Sequence, residues 1–388
     1  MALPISYNVR SLYVRGRVTL LAIGGIALVV GVLIVLVAMA AGFRIALQAS
    51  GSPENAIITQ RGSTSEITSG IPRDAINALA VDGRVARDEE GNPLAAPDLV
   101  IVASMKRKDD GADVNIVVRG VTPMAFKVRP GVIVAEGRNF TPGLYEVIVG
   151  RKLFDRMEGM GLGRTIRMQR RDWTIVGVFH ANGSGFESEV WGDKEAMGPA
   201  FGRGAGAQTL TVRMKDPSAI PAFNEELRRN PRMQVQVTQE RQYYEQQSAG
   251  VAGPLMALAV FVAIVMGIGA VFGAMNTMYA IVAARTREIG TLRALGFSRL
   301  AILAAFVIES TCLAIVGGAL GCLVALPANG ISSAAGGANF AEIAFAFRVT
   351  PASIGVGMTL AVLMGIAGGL LPSLRAARMP ITAALREA

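Results

Sequence analysis

Four long apolar segments constrain the fold of this chain more than any other feature of its sequence. They run from Val18 to Phe43, from about Pro254 to Ala283, from about Leu300 to Leu326 and from Val349 to Leu374. A helix needs about 20 apolar residues to cross the hydrocarbon core of a bilayer, and none of the segments alternates as a strand does. The sequence therefore predicts an α-helical membrane protein with four transmembrane helices. The first apolar run is longer than that of a cleaved signal peptide, so we expect it to be retained.

The basic residues predict how these helices are oriented. The formal net charge is +9, which would suggest nucleic-acid binding if the charges shared one surface. Residues 43–253 are nearly balanced, however, with 27 basic and 25 acidic side chains. The excess lies in three short flanks of the spans: Arg10, Arg15 and Arg17; Arg285, Arg287, Arg293 and Arg299; and Arg375, Arg378 and Arg386. Because Lys and Arg accumulate in cytoplasmic flanks, both termini and residues 285–299 are predicted to be cytoplasmic, with residues 43–253 outside and no nucleic-acid partner.

The segment between the first two spans reads as a globular domain with both strands and helices. The predicted strands are Asn55–Gln60, Leu99–Met105, Val114–Val121, Glu146–Gly150, Thr165–Met168, Trp173–Phe179 and Thr209–Met214. The predicted helices are Pro72–Ala80, Lys152–Met157 and Ser218–Arg229. This mixture predicts a large α/β domain over residues 51–237, inserted between transmembrane helices 1 and 2.

Both ends of this domain are predicted to continue as helices. The first span extends outward within residues 18–50 and stops at Gly51-Ser52-Pro53, because Gly and Pro end helices. A polar helix from Thr238 to Gly250 leads into the second span, so that residues 238–284 form one segment. Together the two helices would make a stalk under the domain.

Few residues are available for catalysis or metal binding. The chain has one histidine, His180, and two cysteines, Cys312 and Cys322, which excludes a Cys/His zinc site. His180 precedes Ala-Asn-Gly-Ser-Gly and is best explained as a turn residue. No G-x-x-x-x-G-K-[ST] sequence is present. We therefore expect a chain that is not an enzyme, and if ATP drives it, a partner must bind the ATP.

The cytoplasmic stretch 285–299 is the most informative short segment. Ile289, Leu292 and Leu295 recur every three residues, which predicts an amphipathic helix with one apolar stripe. Gly296 is a natural helix stop, and Ser298 is a natural N-cap for the next helix. The helix could rest on anionic lipid or dock against a cytosolic partner. The predicted docking residues are Arg285, Arg287, Glu288, Ile289, Leu292, Arg293, Leu295 and Gly296.

The spans themselves carry small-residue patterns and one charge. Glycines at a spacing of four permit close helix approach in lipid, which predicts tight packing within a bundle or dimer. These glycines are Gly269, Gly273, Gly317, Gly321, Gly365 and Gly369. Glu309 is the one acidic residue within a span. Such a residue usually faces protein or water, and both a gating role and simple structural pairing are open.

The chain resembles the MacB/FtsX-like permeases of ABC transporters, in the branch where the ATPase is a separate subunit, such as lipoprotein-release and macrolide-exporter permeases. The stretch RTREIGTLRALGFSR is similar to the family's coupling-helix signature, and GGLLPSLRAARMPITAAL, from Gly368 to Leu385, is similar to its C-terminal signature. The region from Glu309 through Gly317 to Gly321 is similar to its third span. EGRNFTPG, EVIVG and WTIVGVF look like its periplasmic core.

The resemblance implies a layout and a set of partners. Residues 1–17 would be a cytoplasmic amphipathic helix, 300–326 the third span, 327–350 a periplasmic loop, 351–374 the fourth span and 375–388 a cytoplasmic tail. The partners implied are ABC ATPase subunits, a second permease copy or homologue, the lipid bilayer and, in some systems, a periplasmic adaptor. The chain would hold no cofactor or metal, since ATP and Mg²⁺ belong to the ATPase. Its place would be the bacterial inner membrane.

Three functions remain open. The first two are efflux of a small molecule, lipid or peptide and extraction of lipoproteins or lipids, both by mechanotransmission from the ATPase to the periplasmic domain. The alternative is a non-transporting regulator of periplasmic cell-wall hydrolases, whose external domain is usually smaller than this one.

Overall fold

The computed structural model describes residues 16–169, 171–336 and 341–380 and separates the chain into two compact units. The domain unit comprises Gly42–Gly253 and Ser332–Ala346. The helical unit comprises the chain up to Ala41, Pro254–Ile331 and the chain from Phe347 onward. The helix predicted over residues 1–17 lies outside the described residues up to position 15, as does the end of the predicted tail from position 381.

The elements alternate between the two units along the chain. The helices are α1 (Gly16–Gln48), α2 (Arg73–Ala80), α3 (Met124–Val128), α4 (Arg151–Arg156), α5 (Lys194–Ala200), α6 (Ile220–Arg229), α7 (Glu240–Ala284), α8 (Thr286–Ala294), α9 (Arg299–Ala325) and α10 (Pro351–Arg378). The strands are β1 (Asn55–Gln60), β2 (Ala95–Lys106), β3 (Asp113–Val121), β4 (Ile133–Gly137), β5 (Glu146–Gly150), β6 (Thr165–Met168), β7 (Arg171–His180), β8 (Glu189–Asp193), β9 (Thr209–Arg213), β10 (Val235–Gln239), β11 (Ser332–Gly336) and β12 (Glu342–Ala346).

Four of the described helices, α1, α7, α9 and α10, are long and apolar enough to cross a bilayer. They correspond to the four predicted spans. With 45 residues, α7 is more than twice the length that the hydrocarbon core requires. It continues through Pro254, where the chain passes from the domain unit to the helical unit.

Local sequence signals determine where the later helices begin and end. The side chain of Ser298 accepts a hydrogen bond from the Ala301 amide at the start of α9, as expected of an N-cap. Thr350 and Ser353 form a reciprocal capping box at the start of α10. In the core of the helical unit, branched and small side chains of α1 pack with Ala314 of α9 and with Ala361 and Met364 of α10.

The domain unit is built on one long, mostly antiparallel sheet. Its strand order is β10-β1-β9-β2-β3-β8-β5-β7-β4, with β6 paired to β7. The pairs β3–β8 and β5–β7 are parallel. One core packs α2 and α6 against β1, β9 and β10, with Phe223 fully buried. A second core surrounds Trp173 of β7, together with side chains of β5 and β8.

The seven predicted strands are confirmed within a few residues at their ends, but others were missed. Strands β4, β8 and β10 were not predicted; they are short and carry charged or polar residues or glycines. The polar helix predicted from Thr238 begins at Glu240, because Thr238 and Gln239 pair with β1 as the end of β10. The first helix ends at Gln48, before the glycine and proline that were expected to stop it.

Residues 327–350, predicted as a loop between the third and fourth spans, contain two strands. Strands β11 and β12 form an antiparallel hairpin that belongs to the domain unit. Phe345 packs edge-on against Phe43, and the Ala344 amide donates to the Ser188 hydroxyl. Small residues such as Ala334, Ala335 and Ala344 give this hairpin too weak an apolar pattern to be recognised in the sequence.

Candidate functional site

The short helix α8, between the second and third apolar helices, is held in place by well-defined turns. Gly296 has a φ of +94°, which favours glycine. The Gly296 amide donates to the Arg293 carbonyl, and the Phe297 amide donates to the Leu292 carbonyl, the hydrogen-bond pattern of a Schellman motif. With Ser298 capping α9 directly afterwards, the segment is a helix, a tight turn and a second helix.

One side of α8 packs against the helical unit. Ile289 is buried against Met278, Ile302 and Phe306. Leu292 is half-buried, whereas Leu295 is 72% exposed. The prediction of one apolar stripe is therefore wrong. At 100° per residue, a spacing of three turns back by 60° at each step, so Leu295 lies about 120° from Ile289 around the helix.

A different set of residues shares the exposed side of α8. Glu288, Thr291 and Leu295 lie within about 60° of one another around the helix axis, and all three are exposed. Arg287 is exposed beside them, and Leu300 at the start of α9 is 75% exposed. We call Glu288, Thr291 and Leu295 the α8 outer face; it combines a carboxylate, a hydroxyl and an apolar side chain.

Glu309, the charge predicted within a span, contacts the start of α8. Its side chain in α9 is 2% exposed, and Arg285 Nη1 donates to its Oε2 at 3.0 Å. Arg285 Nε also lies 3.9 Å from Glu288 Oε2. Arg285 therefore connects a carboxylate inside α9 with a carboxylate on the α8 outer face. Sequence reasoning named all three residues but did not predict that they meet.

The other basic residues at this end of the helical unit have structural contacts of their own. Arg293 is half-buried, and its Nη1 donates to the Phe297 carbonyl at 3.4 Å, within the turn that ends α8. Arg375, in the last turn of α10, lies over the Tyr279 ring of α7 at 5.8 Å. Of the predicted docking residues, Ile289, Arg293 and Gly296 thus shape the segment, and Arg287, Glu288 and Leu295 are exposed.

Four of the six predicted packing glycines lie where helices approach closely. A Cβ on Gly317 or Gly321 would come within 2.9 Å or 2.6 Å of carbonyl oxygens of α1. A Cβ on Gly365 would lie 2.6 Å from Ala314 of α9, and one on Gly369 would overlap the Ser310 side chain. Around Gly269 and Gly273 of α7, no described atom of the chain lies within 4 Å of such a Cβ. Packing at those two positions therefore stays a prediction.

In the domain unit, charged side chains secure the elements that continue toward the apolar helices. Glu245 of α7 accepts hydrogen bonds from Arg44 and Gln48 of α1, at 2.6 Å and 2.8 Å. Glu342 of the hairpin accepts from Arg156 at 2.8 Å and from Arg107 at 3.3 Å. The C-terminal end of α1, the N-terminal part of α7 and the hairpin thus each make charged contacts within this unit.

The domain unit offers little for catalysis among its described residues. His180 is half-exposed, and its Nδ1 lies 3.9 Å from Glu187 Oε1. The Glu187 carboxylate accepts the amides of Ala181 and Gly183 and so orders the loop after His180. No group of three or more His, Cys, Asp or Glu side chains suited to a metal ion occurs in the described parts of the chain.

Two family models match most of the chain. Residues 19–230 match the MacB-like periplasmic core domain, and residues 260–381 match the FtsX-like permease C-terminal region. The first model covers α1 and the large inserted sheet, and the second covers α8, α9 and α10.

Several curated proteins are similar in sequence. A macrolide export ATP-binding/permease protein MacB of Sodalis glossinidius (strain morsitans) is 26% identical over 352 residues, which cover 82% of this chain and 49% of that protein. A protein of the same name from Hahella chejuensis (strain KCTC 2396) is 28% identical over 354 residues, 84% of this chain and 52% of that protein. The chain thus spans about half the length of these relatives. The crystal structure of the periplasmic region of MacB from Actinobacillus actinomycetemcomitans is 13% identical, with a TM-score of 0.36, over 49% of this chain and 90% of that structure.

Proposed function

Since this chain belongs to the MacB/FtsX-like permease family, we propose that it is the membrane subunit of an ABC transporter. ATP and Mg²⁺ would bind to an ATPase outside these 388 residues, which contain no Walker A sequence, and we propose that this ATPase is a separate subunit. The relatives are named ATP-binding/permease proteins, and this chain spans only about half of their length. The permease itself would be non-catalytic and would hold no cofactor.

The charge distribution supports one orientation in the membrane. Basic residues flank α1, α8 and the end of α10, and by the positive-inside rule we propose that α8 is cytoplasmic and that the domain unit is outside. The organisms of the named relatives are bacteria, which supports our proposal that the chain lies in the inner membrane with its domain unit in the periplasm. Along the chain, α1 would cross the membrane before the domain and α7 would cross it after the domain.

The observation that carries the proposal is the α8 outer face. Glu288, Thr291 and Leu295 are presented together on a short helix that is buttressed on its other side by Ile289. We propose that this face docks into a groove of the ATPase, because an exposed leucine beside a carboxylate suits a protein surface better than anionic lipid. Arg285 would pass a displacement of α8 to Glu309 and hence to α9.

Movement of cargo outside the membrane fits these helices better than conduction through them. Glu309 is the one acidic residue within the spans, and it is buried in contact with Arg285. We propose mechanotransmission: closure of the ATPase shifts α8, and the apolar helices relay the shift to the domain. The cargo remains open among a small molecule, a peptide, a lipid and a lipoprotein. The names of the relatives favour export over regulation of cell-wall hydrolases.

A second copy or a homologue would complete the transporter. Gly269 and Gly273 lie on α7 with open space beside them, and α7 carries a large set of exposed apolar side chains: Met256, Leu258, Val260, Phe261, Ile264, Val265, Ile268 and Phe272. We propose that α7 packs against the partner permease. A periplasmic adaptor would bind the domain unit if the transporter is an exporter.

Substituting two residues of the α8 outer face tests its docking role. We expect the double variant Glu288→Ala/Leu295→Asp to insert normally but to lose most of the ATPase activity that co-purifies with the full chain in nanodiscs. Glu225→Ala is a matched control, since Glu225 is 57% exposed and Glu288 56% exposed, and each is paired with an arginine three residues away.

Two results would contradict the proposal. One is undiminished co-purifying ATPase activity in the double variant, which would remove α8 as the docking element. The other is direct ATP binding by the purified chain alone, which would overturn the separate ATPase.

A further inference from the structure

A cluster of acidic and basic side chains is enclosed within the domain unit. We call it the acid–arginine cluster, and its members are less than 10% exposed: Glu66, Asp98, Arg119, Arg129, Glu189 and Glu240. They come from the loop after β1, from β2, β3 and β8, from the residue after α3 and from the first residue of α7. The family resemblance and the proposed function leave this cluster unexplained.

The two arginines join the four carboxylates into one network. Arg119 donates from Nε and Nη2 to Glu189 at 2.7 Å and 2.8 Å, and from Nη1 and Nη2 to Glu66 at 3.1 Å. Arg129 Nη1 lies 2.9 Å from Asp98, and its Nε donates to Glu240 at 3.2 Å. Arg119 Nη1 also lies 3.5 Å from the same Asp98 oxygen, so Asp98 faces both guanidinium groups.

Two guanidinium groups cannot balance four carboxylates. If every member were ionised, the cluster would hold two excess negative charges on side chains that are largely buried. A buried charge without a counter-charge is costly, and such a group takes up a proton instead. The question is therefore which carboxyl holds the proton.

The half of the cluster around Arg129 stabilises its own negative charge. Glu240 accepts hydrogen bonds from the Ser52 amide and from Asn55 Nδ2, in addition to Arg129. It is also the first residue of α7, where the helix dipole favours a negative charge. Asp98 has two arginines beside it. These two carboxylates are accordingly well supported as anions.

Glu66 and Glu189 are less well supported, because they share one guanidinium group. Besides Arg119, Glu189 accepts only Trp191 Nε1 among the described hydrogen bonds, and Glu66 has Tyr244 Oη at 3.4 Å. Both carboxyls line a cavity of about 50 Å³, together with Ser188 and Tyr243. The buried Tyr243 hydroxyl belongs to the same lining.

We propose that Glu66 and Glu189 share one proton at neutral pH, so that the domain unit contains a buried proton-binding site. The proton sits on one of the two carboxyls beside the cavity, and Arg119 compensates the remaining charge. The charged and titratable groups facing the pair or its cavity are Arg119 on β3, Asp98 on β2, Tyr243 and Tyr244 on α7 and Glu342 on β12. Loss of the proton would leave two carboxylates on one arginine and loosen the loop of Glu66 and α7 from the sheet.

The raised pKa of Glu189 agrees with a proton held by this pair of carboxyls. Burial raises the pKa of Glu189 and is the largest influence on it; the nearby Glu66 raises this pKa further, and Arg119 only partly opposes them. Arg119 itself stays charged: burial acts to lower the pKa of its guanidinium, but Glu189 and Glu66 outweigh that and hold it well above its usual value.

Infrared spectroscopy of the full chain in lipid nanodiscs tests the site directly. A protonated carboxylic acid has a carbonyl stretch that a carboxylate lacks. We expect the wild type at pH 7 to show a buried-acid band that titrates away only at higher pH. Glu66→Gln and Glu189→Gln should each remove it, and either variant suffices if the other fails to fold. Glu187→Gln is the control, because Glu187 lies two residues from Glu189 and its pKa is lowered.

Absence of the band in the wild type, or its survival in either variant that folds, would overturn the proposal. The spectra are repeated in sodium, potassium and choline salts. If the band is absent and the melting temperature depends on the metal cation, the missing positive charge comes from a bound cation and the proton assignment is wrong.

Discussion

Single residues in this chain show how buried charge is tolerated only with a partner. Glu309 lies inside an apolar helix, where an ionised carboxylate is costly. Its contact with Arg285 makes the charge tolerable and also connects α9 to the start of α8. The sequence shows each residue separately, but a contact across 24 positions depends on how two helices pack.

Removing one partner of this pair should be more harmful than removing both. We expect Glu309→Ala to lower the free energy of unfolding by about 3 kcal/mol, because it removes the nearer carboxylate from the largely buried Arg285 and leaves the more distant, exposed Glu288. The double variant Arg285→Met/Glu309→Leu should recover much of that loss. The measurement is thermal unfolding of the full chain in detergent. If the double variant loses as much free energy of unfolding as Arg285→Met and Glu309→Leu lose together, the pair is not coupled.

The pKa values of Glu187 and Glu189, two residues apart in the domain unit, are shifted in opposite directions: that of Glu187 is lowered and that of Glu189 is raised. Burial by itself would raise the pKa of Glu187, but the amides of Ala181 and Gly183 and the Lys152 ammonium outweigh it and hold this pKa below its usual value. A lowered pKa contributes stability that is present above about pH 4.3, the value in an unfolded chain, and is lost as the pH falls through the folded value.

We therefore expect Glu187→Gln to flatten the acid side of the stability profile. The wild type should lose stability on acidification below about pH 4.3, and the variant should lose less. At pH 7 the variant should be less stable by about 1–3 kcal/mol, since buried hydrogen bonds to a charge are weakened. Melting temperatures between pH 3 and pH 7 measure both effects. Parallel profiles for the two proteins would show that Glu187 does not contribute in this way.

At the scale of elements, close helix approach depends on where each glycine faces. Gly317, Gly321, Gly365 and Gly369 lie against neighbouring helices, whereas Gly269 and Gly273 have open space beside them. The spacing is the same in all three helices. The G-x-x-x-G pattern therefore predicts that a helix can be approached closely, without predicting which neighbour approaches it.

Substitution at one glycine of each kind separates the two situations. We expect Gly321→Val to destabilise the protein by about 1–3 kcal/mol, because its first side-chain atom would lie 2.6 Å from the Ala27 carbonyl. Gly355→Val on α10 is the control, because a Cβ there has open space beside it, and it should stay within about 1 kcal/mol of the wild type. Thermal unfolding in detergent measures both. Equal stability of Gly321→Val and the wild type would contradict close packing of α1 and α9.

Much of the element structure could be predicted from the sequence, and the failures have physical causes. The four apolar helices and the strands from β1 to β9 with clear apolar patterns were predicted because each carries its own signal. Strand β8 was missed because Glu189 and Asp193 give it a polar pattern, although all five of its residues are buried. Glu189 is buried only because Arg119 lies beside it on the neighbouring strand, and a local pattern cannot reveal that.

The candidate site was predicted less completely than the fold. Turn chemistry identified Gly296 and Ser298 correctly, since both act through local hydrogen bonds. The apolar stripe on α8 was wrong, because spacing alone could not tell which of its residues faces the helical unit. The hairpin β11–β12 was read as a loop, since its place depends on contacts with Phe43 and Ser188 that are distant in sequence.

For the whole molecule, the chain passes between its two units four times. The crossings follow Ala41, Gly253, Ile331 and Ala346, so the hairpin adds two connections to the two that the sequence predicts as a stalk. One crossing within α1, one within α7 and one at each end of the hairpin give a displacement of the apolar helices four covalent routes into the domain. This connectivity suits a protein that transmits force, as proposed for the permease.

The most direct test of the central claim is a cross-linking measurement in intact cells. A photo-reactive amino acid is placed at Leu295 on the α8 outer face and, as the control, at Glu225 in the domain unit. We predict that Leu295 cross-links to a protein carrying a Walker A sequence, identified by mass spectrometry, and that Glu225 does not. No such cross-link from Leu295, or the same cross-link from both positions, would contradict a permease driven from the cytoplasm through α8.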